Sequence, residues 1–173
     1  MIKGIHILVI AFALLSFDAS SWWESRADFG SHGRHRGTGV AIGTKGYMGL
    51  GHYNGAGPNI VLSDWWEYDP ASNSWSQKAD YIANSGNGNY GTVAMAIGKF
   101  GYLTGGTLGD AMLYKYDPAM NLWTAVVTCP EVFGNRSAFA IGDKGYYVSG
   151  STVYEFDSVS ETWSTKNPAP FST

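Results

Sequence analysis

The sequence predicts an all-β fold assembled from repeated four-stranded sheets, and three observations predict it. The chain is rich in the residues of turns and pleated surfaces, with 23 Gly among 173 residues and an aromatic fraction of 15%. Aromatic side chains suit half-buried strands, and glycine suits tight reversals. An eight-residue stretch, YDPASNSW at 68–75, returns as YDPAMNLW at 116–123 and more loosely as FDSVSETW at 156–163. The closing Trp75, Trp123 and Trp163 lie 48 and then 40 residues apart, a period typical of repeat architectures.

The chain begins differently. Lys3 precedes an apolar run from Ile5 to Leu15, with small residues at Ala19 and Ser21. This is the layout of a secretory signal peptide over residues 1–21, cleaved after Ser21, and the run is short for a membrane span. The expected product is therefore exported, to the periplasm, the cell surface or the medium, with no membrane association after cleavage. Residues 22–28 come next. WESRADF at 23–29 matches WSQKADY at 75–81, so 22–28 is expected to be the outer strand of an incomplete blade.

Three units follow, at about 36–79, 90–127 and 136–166. Each opens on an Ile-Gly-x-x-Gly-Tyr core: AIGTKGYMGLG (41–51), AIGKFGYLTGG (96–106) and AIGDKGYYVSG (140–150). In the first unit, strands are expected at 38–42, 47–51, 65–68 and 75–79, separated by a Gly-Thr-Lys-Gly turn, a long loop and an Asp-Pro-Ala-Ser-Asn turn. Four strands per period describe a propeller blade. The octet explains itself within that blade. Asp69 can bond the backbone ahead of it, Pro70 presets the next φ, Asn73 tolerates a left-handed conformation, and Trp75 offers an apolar face for packing.

These residues resemble the kelch family of β-propellers, in particular exported bacterial kelch proteins whose repeats carry Gly-Tyr, a later Gly-Gly, Tyr-Asp-Pro and Trp. The likeness runs from about Trp22 to Phe171. Only Gly105-Gly106 keeps the double glycine, and Asp157-Ser158 lacks the proline. The resemblance implies a kelch propeller with three four-stranded blades in this chain, an incomplete ring. The favoured expectation is the N-terminal part of a larger propeller. The alternative is two chains joined into a six-bladed ring, with surplus strands and exposed edges to manage.

The net charge of −3 is unchanged by removal of residues 1–21, which carry one Lys and one Asp, so no basic field exists to attract nucleic acid. Cys129 is the only cysteine and excludes an intrachain disulfide. Short uniform turns read as scaffold, and long variable loops as the place for function. The long-loop face is expected to gather His32, Arg34 and Arg36, then His52, Tyr53, Asn54 and Asp64, then Tyr90, Asp110 and Arg136. Such a polar, aromatic and basic mixture suits sugar hydroxyls, carboxylates or a protein partner. His32 and His35 with Asp28 or His52 have metal-donor chemistry, but a glycine-rich loop fixes no ligand spacing, and no metal is assigned. No cofactor and no catalytic residue is assigned either. A kelch copper-radical oxidase would need a Cys-Tyr cross-link and paired His, whereas Cys129 lies two blades from the histidines. Arg36 and Arg136, near two first strands, are similar to basic residues of kelch sialic-acid mutarotases. The function expected is an exported binding module for carbohydrate or protein. A sugar-active enzyme, or a truncated propeller without independent function, is the alternative.

Overall fold

The computed structural model describes residues 23–54, 57–108 and 111–170; the expected signal peptide lies outside them. The first unit forms β1 (Thr38–Ile42), β2 (Lys45–Gly49), a small extra hairpin of β3 (His52–Tyr53) and β4 (Ile60–Val61), then β5 (Trp65–Asp69) and β6 (Ser74–Lys78). The second comprises β7 (Thr92–Ile97), β8 (Phe100–Gly105), β9 (Met112–Asp117) and β10 (Leu122–Thr128). The third comprises β11 (Ser137–Ile141), β12 (Lys144–Ser149), β13 (Thr152–Asp157) and β14 (Thr162–Lys166). Each unit is one antiparallel sheet in simple meander order, apart from the β3–β4 hairpin in the first long loop. The three sheets stand side by side with β1, β7 and β11 adjoining.

Local chemistry sets these bounds. Ile42 pairs with Lys45 across a two-residue turn in which Gly43 has φ +61°, and Gly98 and Gly142 repeat that conformation at +59° and +60°. A glycine at the first turn position of a tight hairpin matches the strand twist. At the turns of the repeated octet, Asp69, Asp117 and Asp157 each accept backbone N–H bonds from residues ahead, at 2.8–3.3 Å. Asn73, Asn121 and Glu161 take the left-handed position, at φ 49°, 49° and 55°.

Alternation along the strands gives each sheet two packing faces. Ile42, Tyr47 and Trp65 of the first blade meet Leu103, Tyr114, Tyr116 and Trp123 of the second. Val93, Met95, Ile97 and Tyr102 of the second meet Phe133, Tyr147 and Phe156 around the third. Cys129 is buried in this second cluster, with its thiol 3.1 Å from the Thr104 hydroxyl.

One expectation needs correction. Residues 23–28, expected as the outer strand of an incomplete blade, form no strand. They run as a strap against the first blade: the Ala27 N–H donates to Asn73 Oδ1 at 2.8 Å, and Trp75 Nε1 donates to the Ala27 carbonyl at 3.1 Å. Ala79 repeats both bonds with Asn121 and Trp123, at 2.8 and 3.0 Å. The third blade lacks the arrangement. Glu161 replaces the asparagine, Phe156 replaces the tyrosine, β10 is bulged between Ala125 and Val127, and the buried Trp163 Nε1 has no hydrogen-bond partner among the described residues.

Candidate functional site

The long-loop face is built on a repeated backbone device. Gly91 donates its N–H to the Arg36 carbonyl at 3.0 Å, and Asn135 donates to the Gly91 carbonyl at 2.9 Å. All three residues have positive φ, at 55°, 68° and 51°, so each blade places one left-handed residue at the same inner position. This register corrects the pairing of the two arginines. Arg36 is equivalent to Gly91 and Asn135, while Arg136 stands one position further on, next to β11. The Asn89 side chain bolts the loops from within: it donates to the Gly105 carbonyl at 2.7 Å and accepts from the N–H groups of Tyr90 and Leu108 at 2.8 and 3.2 Å.

Upon this frame the first and second blades assemble an aromatic strip. His35 and His52 form a two-way backbone bridge at 3.0 and 3.1 Å, and their rings lie 3.8 Å apart. His52 stacks on Tyr90 at 4.2 Å, and the Arg36 guanidinium lies over the Tyr90 ring at 5.6 Å. Beside them His32 stacks on Tyr53 at 4.7 Å with the rings nearly parallel. His52 is buried, and its Nδ1 meets Asn59 Oδ1 at 3.2 Å, so it supports the strip from beneath. The strip therefore presents exposed His32, His35 and Arg36 with half-buried Tyr53 and Tyr90. Among the described residues no three His, Cys, Asp or Glu side chains gather as a metal site requires.

Arg34 and Asp64 are not part of the exposed strip. The Arg34 side chain is 1% exposed and forks onto Asp64 at 2.5 and 2.8 Å, with further bonds to the Leu50 and His32 carbonyls and the Ser31 hydroxyl. Burial raises the Asp64 pKa, but bonds from Arg34, Ser31 and Trp66 together with the guanidinium charge outweigh it and hold the carboxyl below its ordinary range. Both groups are spent on tying the lead-in loop to β5. A ligand-binding role for either would leave the other unpaired in the interior. Arg136 and Asn54 are exposed, and Asp110 lies outside the described residues.

Sequence reasoning places His35 and Asn89 on the long-loop face but does not give their part in the site's frame. The signal for His35 was its adjacency to Arg36. Asn89 acts through loop carbonyls that only the folded chain brings near. Two solvent-open grooves of about 390 and 490 Å³ lie on the opposite face, between the turns of successive blades. They recur at equivalent positions, Ile42-Gly43 in one and Ile97-Gly98 in the other, which marks them as the wedge-shaped gaps between blades.

Sheets of four antiparallel strands set side by side, with first strands adjoining and long loops on one face, define a β-propeller. No protein-family model matches the chain. Kelch-like protein 25 of Xenopus tropicalis is 26% identical over 118 residues, 62% of this chain and 19% of that protein. Kelch-like protein 35 of Mus musculus is 23% identical over 176 aligned positions, 95% of this chain and 29% of that protein. The chain thus spans less than a third of the length of these relatives. The solved structure of YjhT superposes with a TM-score of 0.73 at 19% identity, over 86% of this chain and 56% of that one. These likenesses, together with the repeats already described, support a kelch-repeat β-propeller fold.

Proposed function

We propose that the protein is an exported kelch-repeat interaction module that binds a carbohydrate or protein ligand through the aromatic and basic strip of its long-loop face. One observation carries the reading. Arg36 is exposed, rests over Tyr90, and makes no ion pair among the described residues, whereas Arg34 two positions away is fully engaged with Asp64. A guanidinium held on an aromatic ring and lacking a carboxylate of its own is a receptor for a carboxylate from outside, because it offers a planar fork of donors whose position is already fixed. His32 on Tyr53 and the exposed His35 add ring faces and polar edges suited to sugars. The ligand class favoured is therefore an acidic carbohydrate, with an acidic protein surface as the other ligand of the same chemistry.

A glycan array containing uronic-acid, sialic-acid and neutral members, probed with wild type and Arg36→Ala, tests this. The expected result is retention of acidic glycans by wild type and at least about a tenfold loss in the variant, in line with about 1.5–3 kcal/mol for a charged hydrogen bond. Equal retention of neutral and acidic members, or an unaffected Arg36→Ala, would refute the role given to Arg36. Export has its own test: the protein recovered outside the cytoplasm should have Trp22 as its first residue by N-terminal sequencing, and a retained Met1 would contradict it.

A further inference from the structure

The third blade exposes the face that the first two blades bury. Ile42 and Ile97 are 5% and 4% exposed, each covered by the following blade, while Ile141 at the same repeat position is 64% exposed. Phe139 lies beside it, stacked on Tyr146 at 5.2 Å and also exposed. This is a forward face with nothing in front of it among the described residues.

The first blade has the matching rear face. Each following blade receives its predecessor's isoleucine at a strand glycine. A Cβ on Gly101 would meet Ile42 Cδ1 at 2.9 Å, and one on Gly145 would meet Met95 and, at 3.4 Å, Ile97 Cδ1. Gly46 holds that position in the first blade, and the nearest atom to a Cβ there is the Tyr68 Cβ of its own sheet at 3.8 Å. A concavity surrounds it, lined by Gly39, Met48, Tyr68 and Trp75. The outer part of this face is already closed by the strap, with Phe29 packed on Trp75 at 4.9 Å. The Ala169 N–H bonds to the Ser151 carbonyl as that of Tyr81 bonds to Ser63, so Ala169 holds the repeat position of Tyr81 and Phe29, and at such a junction the partner's residues beyond β14 yield that place to the strap.

We infer that the forward face of the third blade docks on the rear face of the first blade of a second copy, with Ile141 seated against Gly46, and that two such junctions close a six-bladed ring. The interface extends a packing mode that the chain already uses twice. The inner run of bonds through Arg36, Gly91 and Asn135 ends at both open faces among the described residues, and the second copy supplies its next member. The three blades match 56% of the solved YjhT chain, about half of that structure. The junction is heterologous and closes by two-fold rotation, so it leaves no open face to propagate. This inference is independent of the ligand proposed for the long-loop face.

The test is the molar mass of the full chain by size exclusion with light scattering, measured for wild type, Gly46→Val and Ile141→Asp, with near-ultraviolet circular dichroism on each peak. Wild type is expected as a two-chain species, and each variant as a single chain. Gly46→Val is compatible with its own sheet, since a Cβ there makes only an ordinary contact with the Tyr68 Cβ at 3.8 Å and its φ is not positive. It should therefore keep the wild-type aromatic spectrum. A single-chain wild type would overturn the inference and leave these faces to further blades of a longer protein. A two-chain species that survives Gly46→Val would overturn it equally.

Discussion

Replacing Arg34 takes the counter-charge from a carboxylate whose side chain is 15% exposed, and the fold then has to hold Asp64 without its fork of donors. Arg34→Ala is expected to cost about 3 kcal/mol, as for other buried pairs broken on one side. Arg36→Ala should change stability by no more than about 0.5 kcal/mol, since its side chain is exposed. Urea unfolding of both variants checks the contrast. The acid side gives a second reading. A carboxyl whose folded pKa lies below its unfolded value stabilises the fold above the unfolded value, and the contribution is lost as pH falls through the folded one. Asp64 is depressed below its ordinary 3.8, so the gap between wild type and Arg34→Ala should narrow as the solution is acidified below that value. A constant gap would show that packing of the arginine stem, not the ion pair, carries the cost. The sequence does not separate these two arginines. Both stand in the glycine-rich stretch SHGRHRG, and what distinguishes them is a carboxylate thirty positions away, placed only by the return of the chain into β5.

Turns and straps explain how the elements hold together, and here the sequence is more informative. The octet is legible because its work is local: the Asp side chain bonds the next residues, and Asn73 and Asn121 adopt φ 49°. The strap shows in the sequence only as the match of 23–29 to 75–81; its bonds are not legible, because Ala27 and Ala79 act through backbone atoms. The β3–β4 hairpin is likewise hidden, since its two-residue strands are too short to show alternation. These differences yield a prediction about elements. Asn121 Oδ1 accepts from the Ala79 N–H at 2.8 Å and from the Tyr116 hydroxyl at 2.9 Å, so Asn121→Ala removes two bonds from a left-handed position. The expected loss is about 2 kcal/mol, from about 1 kcal/mol per bond. Glu161→Ala changes the same repeat position in the third blade, where no such bonds exist among the described residues, and loses the pair with Lys115 at 3.6 Å. It should cost about 0.5 kcal/mol or less. Equal losses in chemical denaturation would mean that the cost lies in the left-handed conformation alone, not in the strap.

At the scale of the whole molecule the repeat itself serves as an internal control. Ile97 and Ile141 have the same neighbours in sequence, Ala before and Gly after, and the same register against the following strand: Ile97 faces Phe100 and Ile141 faces Lys144. Besides that facing residue, what distinguishes them is the following blade, which covers Ile97 and not Ile141 among the described residues. Truncating Ile97 to alanine empties a packed position and should cost about 2–4 kcal/mol at any protein concentration. Truncating Ile141 removes side-chain atoms already in water, so in a single copy the cost should be close to zero. If a second copy covers that face, the cost of Ile141→Ala is itself a function of concentration. It vanishes where the chains are dispersed and rises toward that of Ile97→Ala where they are paired, because association stabilises the folded state by mass action. Thermal unfolding of both variants across a hundredfold range of protein concentration therefore tests the assembly from the stability side. A fixed difference between the two variants across that range would place Ile141 permanently in solvent, and parallel large losses would place it permanently in a core.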